Sequence, residues 1–251
     1  MIPIRMHRRL LALVAALCPI LAFACGRVPG QFEILNNQVP LTVGGGCTIP
    51  VDEGVYSGEG MLDLSIVRSD FSTAYLVFPL IENNLPASAG NGIDPNQIQL
   101  SGFNIDIGTI GVVPDSVATV LQGSSQLHYQ TPWSGGIDSG GGKISARVEA
   151  FPVALAQQLL ASGGFGEEPS MVFNLKLQAL GTTNSGRSLQ SDPFNYPVQV
   201  CAGCRVAKVA PCPYPAAPAN PGNPCNPAQD EFVDCCTDNG VLVCPATVAS
   251  P

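Results

Sequence analysis

The feature that most constrains this fold is the crowding of cysteine and proline at the C-terminal end. Seven of the ten cysteines lie between Cys201 and Cys244, and nine prolines lie between Pro211 and Pro251. Proline has no backbone N–H and a fixed φ, so a segment this rich in proline is poorly suited to helices or sheet ladders. We therefore predict an irregular C-terminal tail, residues 201–251, that is held together by disulfides.

Disulfides need an oxidising compartment, and the N-terminal residues provide a route to one. Arg5, Arg8 and Arg9 precede an apolar run from Leu10 to Ala24, and the first 32 residues contain no acidic side chain. This layout is typical of a secretory signal peptide, and the run is shorter than the roughly 20 residues that span a bilayer. Residues 1–24 are predicted to be a signal peptide.

The end of this apolar run carries a second signal. Leu21-Ala22-Phe23-Ala24-Cys25 resembles the lipobox of bacterial lipoproteins, in which a small residue precedes a cysteine that becomes a lipid-modified N-terminus. Ala24 and Cys25 match that motif, whereas the family usually has Leu at the place of Ala22 and a small residue at the place of Phe23. Ala22-Phe23-Ala24 also fits an ordinary cleavage site, so a soluble periplasmic or secreted protein is the alternative.

Cysteine parity favours lipid attachment at Cys25. Cys18 lies within the predicted signal peptide, and nine cysteines follow that peptide. Acylation of Cys25 removes one of the nine and leaves an even eight, which can pair completely. Several acyl chains on one N-terminus would anchor the chain in a membrane. In the lipoprotein family, a residue other than Asp after the cysteine, here Gly26, implies an outer-membrane or surface location. The predicted disulfide cysteines are Cys47, Cys201, Cys204, Cys212, Cys225, Cys235, Cys236 and Cys244.

The pairing of these eight cysteines stays open at the level of sequence, because eight cysteines allow 105 connectivities. Two constraints reduce the number of possible pairings. Cys235 and Cys236 are adjacent and should bond different partners, since bonding each other would strain the disulfide geometry. We expect Cys47 to bond in the neighbourhood of Cys201 and Cys204, because the tail alone holds an odd seven cysteines.

The chain before the tail predicts a mainly β fold. Several segments alternate apolar and polar residues in the strand period, which places apolar side chains on one face of a sheet. We predict an antiparallel β-sandwich, Ig-like or jelly-roll-like, over residues 47–200, preceded by a tether and first strand over residues 25–46. The alternating segments are Met61–Val67, Ile98–Ile107, Ile144–Glu149 and Val172–Leu180.

Two further segments refine this prediction. The run Ala74–Ile81 is continuously apolar, as a strand buried on both sides would be, although Pro79 requires an edge position or a bulge. One crossover helix is predicted after Pro152, with Leu155, Leu159 and Leu160 near one face and a glycine pair as its stop. Core packing explains this leucine stripe better than a partner-binding groove does.

Charge excludes nucleic acid as a partner. Removal of the signal leaves eight basic against nineteen acidic side chains, a formal net charge of −11. A phosphate backbone would be repelled, and the sequence has no cluster of Lys and Arg with interleaved aromatic residues.

The motifs that resemble chemical sites are weak, and we predict no catalytic residue, no metal and no cofactor. Cys201-Ala202-Gly203-Cys204 has the spacing of a redox dithiol or of half a zinc site, but an exported chain favours structural disulfides. A zinc set of Cys204, Cys212, Cys225 and Cys235 is the metal alternative. Gly140-Gly141-Gly142-Lys143-Ile144 lacks the first glycine and the Ser or Thr of a phosphate loop, and no spaced calcium loop occurs.

The stretch from His128 to Trp133 holds the only other candidates. His128 is the one histidine after the signal, no nucleophile motif lies near it, and it is interpreted as a surface strand residue. Tyr129 and Trp133 are a possible ligand platform for sugars, because ring faces can cover the apolar faces of pyranoses. The alternative is that Trp133 closes the core of the sandwich.

Residues Tyr75–Ile107 and Pro193–Cys204 are similar to envelope lipoproteins of Gram-negative bacteria such as myxobacteria, a resemblance that implies no activity. The leading hypothesis is a non-catalytic, lipid-anchored envelope protein with a structural or adhesion role, whose partners are the membrane, glycans or envelope proteins. A carbohydrate-binding or calcium-dependent module is the alternative. A carboxylate-based hydrolase is the third hypothesis. Two acidic side chains that face each other in a cleft, one of them with a raised pKa, would favour it.

Overall fold

The computed structural model describes residues 31–44, 46–52, 54–90, 92–168, 171–214 and 220–246, all within one compact unit. The predicted signal peptide and Cys25 lie outside the described residues. The fold is mainly β, as predicted. Its strands are β1 (Phe32–Gln38), β2 (Leu41–Val43), β3 (Gly46–Thr48), β4 (Tyr56–Ser57), β5 (Gly60–Asp63), β6 (Tyr75–Val77), β7 (Pro79–Asn83), β8 (Ile98–Ile110), β9 (His128–Ile137), β10 (Gly142–Ser145), β11 (Val148–Phe151), β12 (Met171–Thr183), β13 (Ser188–Gln190), β14 (Phe194–Cys201), β15 (Val206–Pro211), β16 (Val233–Asp238) and β17 (Val241–Val243).

Two sheets form the body of the molecule. One has the strand order β10-β7-β1-β4. A short separate pair is formed by β6, which precedes β7 in the sequence, and β11, which follows β10. The other has the order β5-β14-β12-β8-β9, with β13 also pairing with β12. The pairs are antiparallel except β5 with β14, which run parallel. β2 and β3 form a separate exposed hairpin.

The apolar faces of the two sheets share one core. Along β8 and β12 buried and more exposed residues alternate over most of each strand, as the sequence pattern predicts. Phe151 at the end of β11 meets Phe173 on β12 edge to face, with ring centroids 5.4 Å apart. Both rings are fully buried, and this contact joins the β6–β11 pair to the larger sheet.

The run Ala74–Ile81 is buried throughout. Its second half, β7, lies inside its sheet between β1 and β10, whereas β6 pairs with β11 alone. The strand breaks before Pro79, where Phe78 N donates to the side-chain oxygen of Asn37 at 2.6 Å. The predicted strand over Met61–Val67 is only half right. β5 ends at Asp63, and residues 64–66 form a 3-10 helix because the Asp63 carboxylate accepts from Ser65 N at 3.0 Å.

Two α-helices occur in the described ranges, where one was predicted: α1 (Asp115–Gly123) and α2 (Val153–Ala161). α2 is the predicted helix, with Pro152 at its N-cap, Leu155 and Leu159 buried, and Leu160 exposed. α1 follows Pro114 and buries Val117. No helix in the described part of the chain is long and apolar enough to span a bilayer.

The C-terminal tail is more regular than predicted. β15, β16 and β17 form a three-stranded sheet, with β15 and β16 parallel, and residues 233–236 of β16 are buried. The prolines of the tail do not prevent these strands from forming, because most of them lie in loops and Pro211 lies at the end of β15. The tail therefore has strands of its own and is not wholly irregular.

All eight cysteines predicted to form disulfides are paired. The vicinal residues Cys235 and Cys236 bond different partners, as predicted. The prediction for Cys47 is wrong: it bonds Cys225, because Cys201 and Cys204 bond each other. The four disulfides are Cys47–Cys225, Cys201–Cys204, Cys212–Cys236 and Cys235–Cys244.

Candidate functional site

The candidate site is built by residues 226–230, which we name the closing segment. It lies between β5 and β6, strands that belong to different sheets. Its backbone pairs with β5: Asp63 N donates to Ala228 O at 2.9 Å, and Asp230 N donates to Met61 O at 2.9 Å. The closing segment thus extends the larger sheet at its β5 edge.

Side-chain amides attach the closing segment to β6. Leu76 N donates to Gln229 Oε1 at 2.7 Å, and Gln229 Nε2 donates to Leu76 O at 3.1 Å. Asn226 Nδ2 donates to Ala74 O at 2.8 Å. These amides act as a neighbouring strand would, so the buried backbone groups of β6 are satisfied and its edge is covered.

Asp230 ends the closing segment beside β5. Its Oδ1 accepts from Met61 N at 3.0 Å and from the Tyr75 hydroxyl at 2.8 Å, and its Oδ2 accepts from Gln229 Nε2 at 3.2 Å. Gly60 makes the second contact possible, because a Cβ there would lie 1.8 Å from the Tyr75 hydroxyl oxygen. Asp230 has φ 64°, a left-handed conformation that Asp tolerates better than most residues.

Burial dominates the electrostatics of this group. Removal from water raises the pKa of the Asp230 carboxyl, while its hydrogen bonds from Met61 N and the Tyr75 hydroxyl act in the opposite direction. Burial also raises the pKa of Tyr75 well above its ordinary value, and the neighbouring Asp230 adds to that shift. Tyr75 therefore remains a neutral donor to Asp230 at physiological pH.

A cleft of about 370 Å³ opens beside Asp230. Its charged lining consists of Glu59, Asp230, Glu231 and Arg205, and its apolar lining includes Val39 and Met61. The volume falls in the range of small-molecule sites, about 300–1,000 Å³. The pKa of Glu231 is raised, first by desolvation and then by repulsion from Asp230. We name this space the Asp230 cleft.

Two residues of the Asp230 cleft carry buried polar atoms without a hydrogen-bond partner, Gln38 Oε1 and Arg205 Nε. Gln38 is fully buried, and its Nε2 donates to Asn36 Oδ1 at 2.6 Å. The Arg205 guanidinium lies over the Phe232 ring, 5.0 Å from its centroid. An unpaired buried donor or acceptor costs about 1–3 kcal/mol, and neither of these two atoms has surface that opens into the cleft.

The Cys201–Cys204 turn is held by Asp63. Its carboxylate accepts from Gly203 N at 2.7 Å and from Arg205 N at 2.8 Å, which folds the loop so that the two sulfurs meet. Within the described ranges, Asp63 with Cys201 and Cys204 is the one group of three metal-ligating side chains that converge within 4.8 Å. The two sulfurs are bonded to each other, so this group is a disulfide with a backbone anchor.

The structure excludes the alternative zinc site of Cys204, Cys212, Cys225 and Cys235. Its four sulfurs belong to four different disulfides, so they are not thiolates that could bind a metal.

Tyr129 and Trp133 lie on the inner face of β9, where their partly buried side chains pack against the hydrophobic core. The Tyr129 hydroxyl donates to Glu149 O at 3.1 Å. The Trp133 ring covers Gly135, where a Cβ would come within 2.5 Å of two ring carbons. Gln130 and Pro132, which alternate with them, face outward. Core packing therefore accounts for the positions of both aromatic rings.

His128 lies on the outer face of the larger sheet. Its Nδ1 is 2.8 Å from Asp106 Oδ1, and Lys176 Nζ is 3.2 Å from Asp106 Oδ2. The three residues are direct cross-strand neighbours on β9, β8 and β12. The hydrogen bond from His128, and then Lys176, lowers the pKa of Asp106. These three residues form an ion cluster on the open face of the sheet, which agrees with the interpretation of His128 as a surface strand residue.

The sequence did not identify the residues of the Asp230 cleft. They come from β1 and the two residues after it, β4, β5 and the residue before it, the residue between β6 and β7, β14 and three places in the C-terminal part of the chain, and no local motif joins them. The acid pair Asp230-Glu231 after a proline-rich stretch is visible in the sequence, but its partner Tyr75 is 155 residues away.

No protein-family model matches this chain, and no curated protein matches its sequence. Its function is therefore inferred from the chemistry of its own residues.

Proposed function

We propose that the chain is an exported envelope protein, anchored by lipid on Cys25, whose β-sandwich has a structural or adhesion role and catalyses no reaction. The observation that carries this proposal is the complete pairing of eight cysteines in four disulfides. Such pairing is consistent with an extracellular or periplasmic protein. None of these eight cysteines bonds Cys25, which is compatible with an acylated N-terminal residue there.

Two site geometries support a non-catalytic role over a carboxylate hydrolase. Asp230 and Glu231 line one cleft and both have raised pKa values, which is part of what the hydrolase hypothesis requires. The Asp230 carboxylate, however, already accepts three protein hydrogen bonds and holds the closing segment. His128 and Asp106 stand on an open sheet face and not in a cleft that excludes water. A general acid must reach the substrate atom that it protonates.

The test is mass spectrometry of the protein purified from the envelope of a Gram-negative host. We expect an N-terminal peptide that begins at Cys25 and carries acyl chains, and eight further cysteines that react with an alkylating agent only after reduction. Cys25→Ala should release the protein from the membrane fraction with its four disulfides intact. A mature N-terminus that begins elsewhere, or an unmodified Cys25 in a membrane-free protein, would contradict the proposal.

A second candidate function is glycan binding, favoured by a set of amide side chains on the outer face of the larger sheet. Amides supply both donors and acceptors, which suits sugar hydroxyls. Gln178, Asn104 and Gln130 are cross-strand neighbours on β12, β8 and β9. We name this set the amide face: Asn104, Gln130, Asn174, Gln178, Asn195 and Gln199.

Affinity electrophoresis tests the second candidate with gels that contain a soluble polysaccharide such as dextran. We expect retardation that Asn104→Ala combined with Gln178→Ala removes, while Thr182→Ala, an exposed change on the same strand, leaves it unaltered. Unretarded migration of the parent protein across several soluble polysaccharides would reject glycan binding by the amide face.

A further inference from the structure

A third sulfur atom lies beside the Cys201–Cys204 disulfide. Met61 Sδ is 3.5 Å from Cys204 Sγ. Asp63 is the register partner of Cys201 where β5 and β14 run parallel. Met61 lies two residues before Asp63, so both side chains project from the same face of β5. Two cysteine sulfurs and one thioether are therefore gathered at the β5 edge of the larger sheet.

The fold of this turn does not depend on the disulfide. The Asp63 carboxylate accepts from Gly203 N at 2.7 Å and from Arg205 N at 2.8 Å, and reduction changes neither backbone donor. Cys201 belongs to β14, and the pairing of β14 with β5 holds its backbone. When the S–S bond opens, the two thiols therefore stay together beside the Met61 thioether.

Asp63 positions the turn and is not available as a metal ligand. Its Oδ1 accepts from Ser65 N at 3.0 Å, from the Ser65 hydroxyl at 2.7 Å and from Gly203 N, while its Oδ2 accepts from Arg205 N. A metal ion here would be bound by sulfur alone, two thiolates and one thioether. Such soft ligands favour Cu(I), whereas structural Zn²⁺ sites take four ligands from Cys, His and carboxylate groups.

The three sulfur atoms belong to residues that border solvent on one side. Cys204 and Met61 are each partly exposed, whereas Cys201 is buried. Met61 also lines the Asp230 cleft, where three carboxylates and one guanidinium give a formal charge of −2. Negative charge in a cleft attracts cations. A reductant and a metal cation therefore approach from the side of Cys204 and Met61.

We propose that the reduced Cys201–Cys204 pair binds one Cu(I) ion together with Met61. A dithiol reductant transfers two electrons and two protons to the disulfide, which becomes two thiols while the reductant becomes a disulfide. Cu(I) then displaces the two thiol protons and is held by Cys201 Sγ, Cys204 Sγ and Met61 Sδ. The oxidised turn has no thiolate and does not bind the ion. The site is independent of the lipid anchor and of the amide face.

Copper titration of the full mature protein tests this proposal. The protein is reduced with dithiothreitol, desalted under argon and titrated with Cu(I) against the chromogenic chelator bicinchoninate. We expect the reduced parent to bind about one more Cu(I) ion per chain than Cys201→Ser with Cys204→Ser, treated alike to subtract copper bound by other thiols. The two proteins should bind equal amounts when neither is reduced. Equal binding after reduction would overturn the proposal.

Two methionine variants test the thioether. Met61→Leu nearly keeps the volume and apolar character of the side chain but removes the sulfur, and it should weaken Cu(I) binding about 10-fold. Met171→Leu, a buried change on β12, is the matched control and should bind Cu(I) as the parent does. Equal affinity of Met61→Leu and the parent would remove Met61 from the site and contradict the proposal.

X-ray absorption at the copper edge identifies the ligand atoms directly. The reduced, copper-loaded parent should show three sulfur neighbours, and Met61→Leu should show two. An oxygen neighbour in the parent in place of the third sulfur would mean that Asp63 leaves its backbone partners to bind the ion. That result would overturn the all-sulfur site.

Discussion

The central sandwich and the C-terminal segment, residues 202–246, reach a buried interior by different means. In the sandwich, strands such as β12 alternate buried apolar residues with more exposed polar ones, and no disulfide joins two of its strands. In the C-terminal segment, amides such as Asn226 and Gln229 are buried, and every disulfide has at least one sulfur there. Hydrophobic area stabilises the first region, whereas covalent links and satisfied polar groups stabilise the second.

The largest expected effect is the loss of the disulfide that joins the exposed β2–β3 hairpin to the C-terminal segment. Cys47→Ala with Cys225→Ala opens a disulfide that spans 178 residues and should lower the free energy of unfolding by about 5 kcal/mol in the chain-entropy account. Cys201→Ala with Cys204→Ala, which opens a disulfide across 3 residues, should cost only about 2 kcal/mol. Denaturant titration measures both. Equal losses would show that loop length does not govern how the C-terminal segment is held.

Removal of apolar volume should affect the sandwich strongly. Phe173→Ala deletes a fully buried ring that packs on Phe151 and should cost about 3–5 kcal/mol. Phe232→Ala in the C-terminal segment removes a half-exposed ring and should cost less than about 1 kcal/mol. A similar cost at both positions, measured by denaturant unfolding, would remove the contrast between the two regions.

The polar attachment of the C-terminal segment gives a smaller, specific effect. Gln229→Met keeps the length of the side chain but leaves Leu76 N and O unpaired, which should cost about 2–3 kcal/mol. The Leu76 amide should then exchange its hydrogen faster, as measured by mass spectrometry or NMR. Gln130→Met, on the exposed face of β9, is the control and should change the free energy of unfolding by less than about 0.5 kcal/mol.

The smallest expected effect is the pH dependence of the anchor at Asp230. Burial raises its pKa in the folded chain above the value of about 3.9 that an unfolded Asp has, so the folded state binds this proton more tightly. The resulting stabilisation is fully present below about pH 3.9 and is lost as the pH rises through the raised pKa.

Asp230→Asn removes this titration and isolates it. The parent should lose stability relative to Asp230→Asn as the pH rises through that window, as measured by denaturant unfolding at a series of pH values. Parallel stability curves for the two proteins would show that Asp230 does not titrate differently in the folded state.

The two regions also differ in how far the sequence predicts them. Strands β8 and β12 follow from alternation, because a half-buried strand needs that pattern whatever its partner is. The strands of the C-terminal segment do not, since β16 contains Cys235 and Cys236 and is buried through disulfides and neighbouring loops. Helix α1 has start and stop signals at Pro114, Asp115 and Gly123, but its apolar pattern is too short to predict a helix.

The candidate site was beyond local prediction for a related reason. Gln229 satisfies β6 across 153 residues, and Gly60 must be glycine only because the Tyr75 hydroxyl occupies the space of a Cβ. Such requirements come from tertiary contacts and leave no periodic trace. Cysteine parity, in contrast, is a global count, and it predicted correctly that these eight cysteines pair among themselves.

The disulfide between Cys47 on the β2–β3 hairpin and the C-terminal segment is tested most directly by peptide mapping of the non-reduced protein. Proteolysis without reduction should release one cross-linked species that contains Cys47 and Cys225, and it should vanish when the sample is reduced. A cross-link from Cys47 to Cys201 or Cys204, or a Cys225 that bonds another cysteine of the C-terminal segment, would contradict the account.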